Sequence, residues 1–173
     1  MTNTYKIIPA SLTDIPSLVK LVNSAYRGES SKKGWTTEAD LLGGIRVNEK
    51  TLTSIFQKPS DIILKCCDAD ENIIGCVHLQ PQHKKIYLGM LTVSPQLQTN
   101  GIGKLLLTAS ENYAKENNFG SIIMTVISIR KELIAWYERR GYVNTGKTKP
   151  FPNDPNFGIP KQELKFIVME KKV

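Results

Sequence analysis

The 173-residue chain has no apolar run of the roughly 18 residues that a membrane-spanning helix needs. Its first residues, Met1-Thr2-Asn3-Thr4-Tyr5-Lys6, hold no apolar signal core, so a secreted protein is not expected. Cysteine is scarce: there are three, an odd number, and Cys66 and Cys67 are adjacent, which builds no disulfide framework. A reducing compartment, the cytoplasm, is therefore expected. Cys66, Cys67, Cys76 and His78 are not expected to form a metal site either, because adjacent residues on a strand face opposite sides and do not chelate one ion. Acidic residues are outnumbered, 16 against 23 Lys and Arg, for a formal charge of +7. A nucleic-acid binder would more often interleave that charge with exposed aromatics or carry a recognised reading module; no such module is present, so nucleic acid is not the expected partner, and an interaction protein using the basic stretch is the weaker third option. The excess gathers between positions 130 and 149, where Arg130, Lys131, Arg139, Arg140, Lys147 and Lys149 face only Glu132 and Glu138. A local basic surface of this kind suits a small polyanionic ligand.

What is present describes an ordinary globule, 40% hydrophobic and 23% charged, long enough for one domain over residues 1–173 with a core that needs no staple. Tyr5 to Ile8 reads as a strand stopped by Pro9. Thr13-Asp14 then offers a cap for a helix with Ile15, Leu18, Val19, Val22 and Tyr26 at helical spacing. Residues 27–34 are polar and loop-like. Thr37-Glu38-Ala39-Asp40 resembles a capping box and predicts a short helix through Leu41, Leu42 and Ile45, with another from Leu52 to Gln57. The period then changes: 61–67, 73–79 and 84–93 read as three antiparallel strands. A helix over 101–117, a doubly buried strand over 121–127, a helix over 131–140 ended by Gly141, a strand over 142–145, a long loop from Pro150 to Pro160 and a closing strand over 163–170 complete the order. The expected fold class is α+β, with helices flanking a mixed, mostly antiparallel sheet.

The stretch Val93 to Leu107 organises this plan. It leaves an apolar strand, crosses a short polar loop, and enters a helix with two glycines and a lysine at the joint, which is an anion site. A dinucleotide fingerprint is excluded because Gly101-Ile102-Gly103 is followed by Lys104-Leu105-Leu106, with no third glycine, and antiparallel strands precede it. A nucleoside-triphosphate loop is excluded because Gln98 replaces its first glycine and Leu105 the hydroxyl that binds magnesium. What remains is Gln98-Thr99-Asn100-Gly101-Ile102-Gly103, which matches the Q-x-x-G-x-G signature of the GNAT N-acetyltransferases. Trp136-Tyr137-Glu138-Arg139-Arg140-Gly141-Tyr142 resembles the same family's L-Y-x-x-x-G-F segment, and the chain is similar to the family over nearly its whole length.

The resemblance implies acetyl-CoA as cosubstrate and direct acetyl transfer to an amine. It implies a splayed sheet in which Leu91, Thr92 and Val93 pair with the pantetheine arm, a backbone N–H near Leu91 polarising the thioester carbonyl. Thr99, Asn100, Gly101, Ile102, Gly103 and Lys104 would wrap the pyrophosphate, with Gln98 part of the same set. Tyr137 would be the general acid that protonates the departing thiolate. The family often has Asn where Arg130 stands, so Arg130 or Lys131 would instead meet a CoA phosphate. The family's frequent strand glutamate is missing from Lys85-Ile86-Tyr87-Leu88-Gly89-Met90. Tyr87, Glu29 and His78 are candidates, and no base is assigned. The acceptor pocket is expected from Tyr26, Trp35 and Phe157. Homodimers are common in the family but leave no mark in this sequence. The alternative is a non-catalytic acyl-CoA-binding module or sensor.

Overall fold

The computed structural model describes residues 4–173. Residues 1–3, part of the N-terminal stretch read above, lie outside the described residues. Strand β1 (Lys6–Pro9) leads through a capped turn, where Ser11 N–H donates to Asp14 Oδ2 at 2.8 Å, into helix α1 (Ile15–Tyr26). Its apolar positions Ile15, Leu18, Leu21, Val22 and Ala25 form one buried stripe, as the spacing requires. After a single helical turn α2 (Gly28–Ser31) come a two-residue strand β2 (Leu42–Gly43) and helix α3 (Glu49–Phe56), capped by Asn48 Oδ1 on the Thr51 N–H. Strands β3 (Ile62–Cys67), β4 (Ile73–Gln82) and β5 (Lys85–Val93) form the antiparallel meander. Helix α4 (Ile102–Glu116), β6 (Ser121–Ile127), α5 (Lys131–Glu138), β7 (Val143–Pro150), β8 (Ile159–Pro160) and β9 (Lys165–Lys172) follow.

The helix expected at residues 37–45 is absent. Glu38 C=O accepts from Leu42 N–H at 2.9 Å, closing one turn, but Gly43-Gly44 follows and Gly44 takes φ +74°, which ends it. Leu42 and Gly43 instead pair with Pro160 and Ile159. Strand β7 also runs on to Pro150 along β9, where a shorter strand and a loop were expected.

The main sheet has the order β1-β3-β4-β5-β6-β9-β7, antiparallel except where β5 meets β6. Helices α1 and α3 cover one face over Ile63, Cys76 and Met90. Helix α4 and part of α5 cover the other, over Leu64, Val77, Leu79 and Leu88. Two irregularities of β5 position the site. Ile86 and Leu88 face α4, and so do Leu91 and Val93, a change of parity made by a bulge at Met90 (φ +54°) that sets Met90 on the opposite face. Pairing with β6 covers only Lys85–Tyr87 against Ser121–Ile123, so the two strands part from Leu88 onward. The sheet is splayed there, and the parting is filled from opposite sides by two cavities.

Candidate active site

The first cavity, about 220 Å³, lies over the α4 turn and is lined by Trp35, Thr36, Val93, Gln98, Thr99, Gly101, Gly103, Lys104, Trp136 and Arg140. Helix α4 begins at Ile102, and its first internal bond runs from Leu105 N–H to Gly101 C=O at 3.1 Å. The N–H groups of Ile102, Gly103 and Lys104 therefore have no intrahelical acceptor and lie at the positive end of a 15-residue helix. Gly101 sits at φ +78°, where a side chain is strained. A Cβ on Gly103 would meet nothing nearer than the Trp136 ring, at 3.4 Å, and Val93 at 3.7 Å, so the protein's own packing tolerates one. Arg140 lies over the Trp136 ring at 3.7 Å, and its buried Nε has no partner. A donor set of helix-terminal N–H groups, Lys104 and an underused guanidinium fits a pyrophosphate.

Three expectations for this cavity change. The Gln98 side chain is occupied: its Oε1 accepts from Trp35 N–H at 2.8 Å and Thr36 N–H at 3.3 Å, while its Nε2 donates to Thr36 Oγ1 and Val93 C=O. It is a clamp on the Gly34–Thr36 segment. Asn100 is exposed, lines neither cavity and spends its N–H on Leu97 C=O, and Thr92 is buried opposite Cys76 of β4 and lines neither cavity. Trp35, expected with the acceptor, lines this first cavity and not the second, with its ring 6.2 Å from that of Trp136. Replacing Gln98 by alanine is expected to lower stability by about 1–3 kcal/mol, the cost of stripping partners from half-buried amides. Gly34→Ala should loosen the same clamp from the other side, because its Cβ would fall 2.4 Å from Gln98 Oε1. Urea unfolding of the two variants measures this, and unchanged midpoints would remove the clamp.

The second cavity, about 310 Å³, opens on the other side of the parting and is lined by Phe157 together with Glu38, Arg46, His78, Tyr87, Arg130, Asp154 and Phe151. Arg130, expected at a CoA phosphate, is turned in here, its Nη1 3.4 Å from Glu38 Oε1; Lys131 is exposed and lines neither cavity. Glu38 also bonds Arg27, which is buried, so two guanidiniums hold one carboxylate. Arg27 Nη2 donates to Phe157 C=O at 3.0 Å and fixes the 151–160 loop over the cavity. Glu29 is removed as a candidate base: its side chain is 89% exposed and bonds Lys32. Tyr87 hydroxyl pairs with Thr125, and His78 Nε2 lies 2.8 Å from Asp61 Oδ2. Burial keeps His78 below its ordinary value against the pull of Asp61, so it is neutral near pH 7.

Tyr26, Leu91, Leu133 and Tyr137 line both cavities. Tyr26 hydroxyl donates to Leu91 C=O, and burial, with the charge of Glu38, pushes its phenol up to about 12. Tyr137, 6% exposed, packs edge-on against Trp136 and Tyr142, and burial raises its phenol well above the ordinary value, leaving it protonated at any working pH. Sequence patterning missed Glu38, Arg46 and Arg140. Arg140 stood one residue before Gly141 in a recognised segment and was legible as a basic residue, whereas Glu38 and Arg46 carry no local signal.

The profile of the Acetyltransferase (GNAT) family matches residues 17–142. A protein of Xenopus tropicalis named Probable N-acetyltransferase 14 is 32% identical over 78 residues, 44% of this chain and 38% of that one. The chain spans about half, or less, of the length of the curated relatives it matches. Among solved structures, the ribosomal-protein-S18-alanine N-acetyltransferase of Escherichia coli superposes with a TM-score of 0.74 at 16% identity, over 98% of this chain and 94% of that one. An N-acetyltransferase of Thermoplasma acidophilum in complex with coenzyme A gives 0.69 at 19% identity, over 98% and 99%.

Proposed function

The chain belongs to the acetyltransferase (GNAT) family, and from that premise we propose that it transfers an acetyl group from acetyl-CoA to a small amine. What supports the reading is the shared wall: Tyr26, Leu91, Leu133 and Tyr137 bound both cavities, so groups held on either side meet at the Tyr137 hydroxyl. Acetyl-CoA supplies a thioester: the amine nitrogen bonds the acetyl carbon, the C–S bond breaks, and one proton passes from amine to sulfur. The α4 N–H groups of Ile102, Gly103 and Lys104, with Arg140, hold the pyrophosphate. The parted edge of β5 at Leu91 and Val93 lies along the pantetheine path, and a backbone N–H near Leu91 polarises the carbonyl. Tyr137 keeps its proton for the sulfur. With Nε2–H donated to Asp61, His78 leaves Nδ1 as the one neutral nitrogen base lining the acceptor cavity among the described residues.

A module that binds CoA without turnover needs no second cavity behind the tyrosine, and that reading is not favoured. Residues 1–173 are taken as one such domain. Among the described residues no helix is long and apolar enough to cross a membrane. The three cysteines are free and buried, which supports a reducing, cytoplasmic setting. Thiol release from acetyl-CoA across a panel of amines is the test, with thermal unfolding in CoA as its binding control. A raised melting temperature with turnover is expected. No CoA shift at all would reject the proposal.

A further inference from the structure

Among the described residues, the acceptor cavity is lined by one arginine that no carboxylate neutralises. Glu38 is shared between Arg27 and Arg130, and Asp61 is taken by His78. Arg46, half-buried on the same wall, makes no ion pair and no side-chain hydrogen bond among the described residues. It is nevertheless held in place. Asn23 Oδ1 accepts from Arg46 N–H at 2.8 Å and Val47 N–H at 3.1 Å, and Asn23 Nδ2 donates to Val47 C=O at 2.9 Å, so a side chain of α1 pins the backbone on which Arg46 stands. At the other end its guanidinium lies over the Phe157 ring, 4.4 Å from the centroid. A planar five-donor fork, fixed at both ends and left without an acceptor inside a cavity, is the arrangement that recognises a carboxylate through two parallel bonds. Its charge is felt within the cavity, where it opposes the rise of the Tyr26 phenol and adds to the depression of His78.

We infer that the acceptor is a free amino acid with an apolar side chain, its carboxylate bound by Arg46 while its amine faces the Tyr26–Tyr137 wall; the inference rests on the acetyl-transfer reading above. At about 310 Å³ the cavity is at the small end of ligand sites, which suits a molecule of this size. Val47, Ile55, Phe151, Phe157 and Phe166 give it an apolar side, the three phenylalanine rings packed at 5.3–6.5 Å from one another. A purely cationic acceptor would meet Arg46 and Arg130 with only the exposed Asp154 among the lining carboxylates not tied to a cation. The transfer keeps the balance already written: C–N forms, C–S breaks, and the amine proton ends on sulfur.

The experiment compares leucine and phenylalanine with their α-amides and with the decarboxylated amines isoamylamine and phenethylamine, by thiol release from acetyl-CoA. The acids are expected to be preferred by about 10- to 100-fold in kcat/KM, the range of a charge-assisted hydrogen-bonded pair. Arg46→Met should raise KM for the acids by a similar factor and leave KM for the amides and for acetyl-CoA unchanged. Arg46→Lys, which keeps the charge but loses the fork, should fall between. Amides or amines used as well as acids, spermidine preferred to all of them, or Arg46→Met acting equally on acid and amide would overturn the inference. The acid-to-amide comparison on the unaltered protein needs no variant to fold. If CoA still raises the melting temperature while no free amino acid is acetylated, only this inference fails; if the CoA shift is missing too, the functional proposal fails with it.

Discussion

Tyr137→Phe is expected to lower kcat by about 10²- to 10⁴-fold, the usual worth of a positioned proton donor, with little change in KM for acetyl-CoA. The substitution is clean. The ring is 6% exposed and held between Trp136, with centroids 5.1 Å apart, and Tyr142, at 5.8 Å, and phenylalanine keeps both contacts. The hydroxyl has no hydrogen-bond partner among the described residues, in a residue that lines both cavities, so its loss orphans nothing and stability should move by less than about 1 kcal/mol. The pH dependence follows from the sign of the shift. Because burial raises the phenol above its ordinary value, the donor stays protonated through neutral and mildly alkaline pH, and it should contribute no alkaline loss of activity there. Steady-state kinetics from pH 6 to 9 on folded variant and parent decide the matter. A variant that keeps more than half of kcat would reduce Tyr137 to a packing residue.

Gly103→Asp should separate folding from cofactor binding by moving them in opposite directions. A Cβ at this position fits, with nothing nearer than the Trp136 ring at 3.4 Å. Leaving glycine inside a helix gains about 0.5–1 kcal/mol, and a carboxylate in the first turn adds about 0.3–1 kcal/mol from the helix dipole. The melting temperature without ligand should therefore hold or rise. The new carboxylate would stand at the open N–H groups of α4, in the cavity that Lys104 and Arg140 also line and where the pyrophosphate is proposed to bind. Affinity for CoA should fall by about 100-fold or more, since a like charge replaces the space and the field that the anion needs. Titration calorimetry of CoA measures it. Undiminished affinity would mean that the phosphates do not lie on this turn. Gly103→Ala, which fills less space and brings no charge, should have a much smaller effect.

The corrections at individual residues share one physical origin. Gln98 was legible as a signature residue, but its use as a clamp depends on Gly34–Thr36, more than sixty residues upstream, arriving beside it. Arg130 and Lys131 look alike at the start of α5, and only their direction distinguishes them: Arg130 turns to Glu38 and Lys131 to solvent. The helix expected over 37–45 was a matter of local propensity overridden by a partner. Gly43-Gly44 weakened it, and Leu42 and Gly43 found Pro160 and Ile159 across a second, small sheet.

By itself the sequence determined the element order from β1 to β9 with few exceptions, the buried stripes of α1 and α4, and the glycine turn that opens α4. It did so because these depend on periodicity, caps and two glycines, all of which act within a few residues. It also marked Tyr137, through a segment whose residues share one short helix. Tertiary structure alone decided that β5 bulges at Met90 and leaves β6 after Tyr87, which opens the cleft. It alone set Glu38 between two arginines and left Arg46, among the described residues, with no ion pair in the second cavity. Electrostatic pairing and cavity walls are made by residues far apart in the chain. Their meeting is a property of the packed fold, and no window along the sequence contains it.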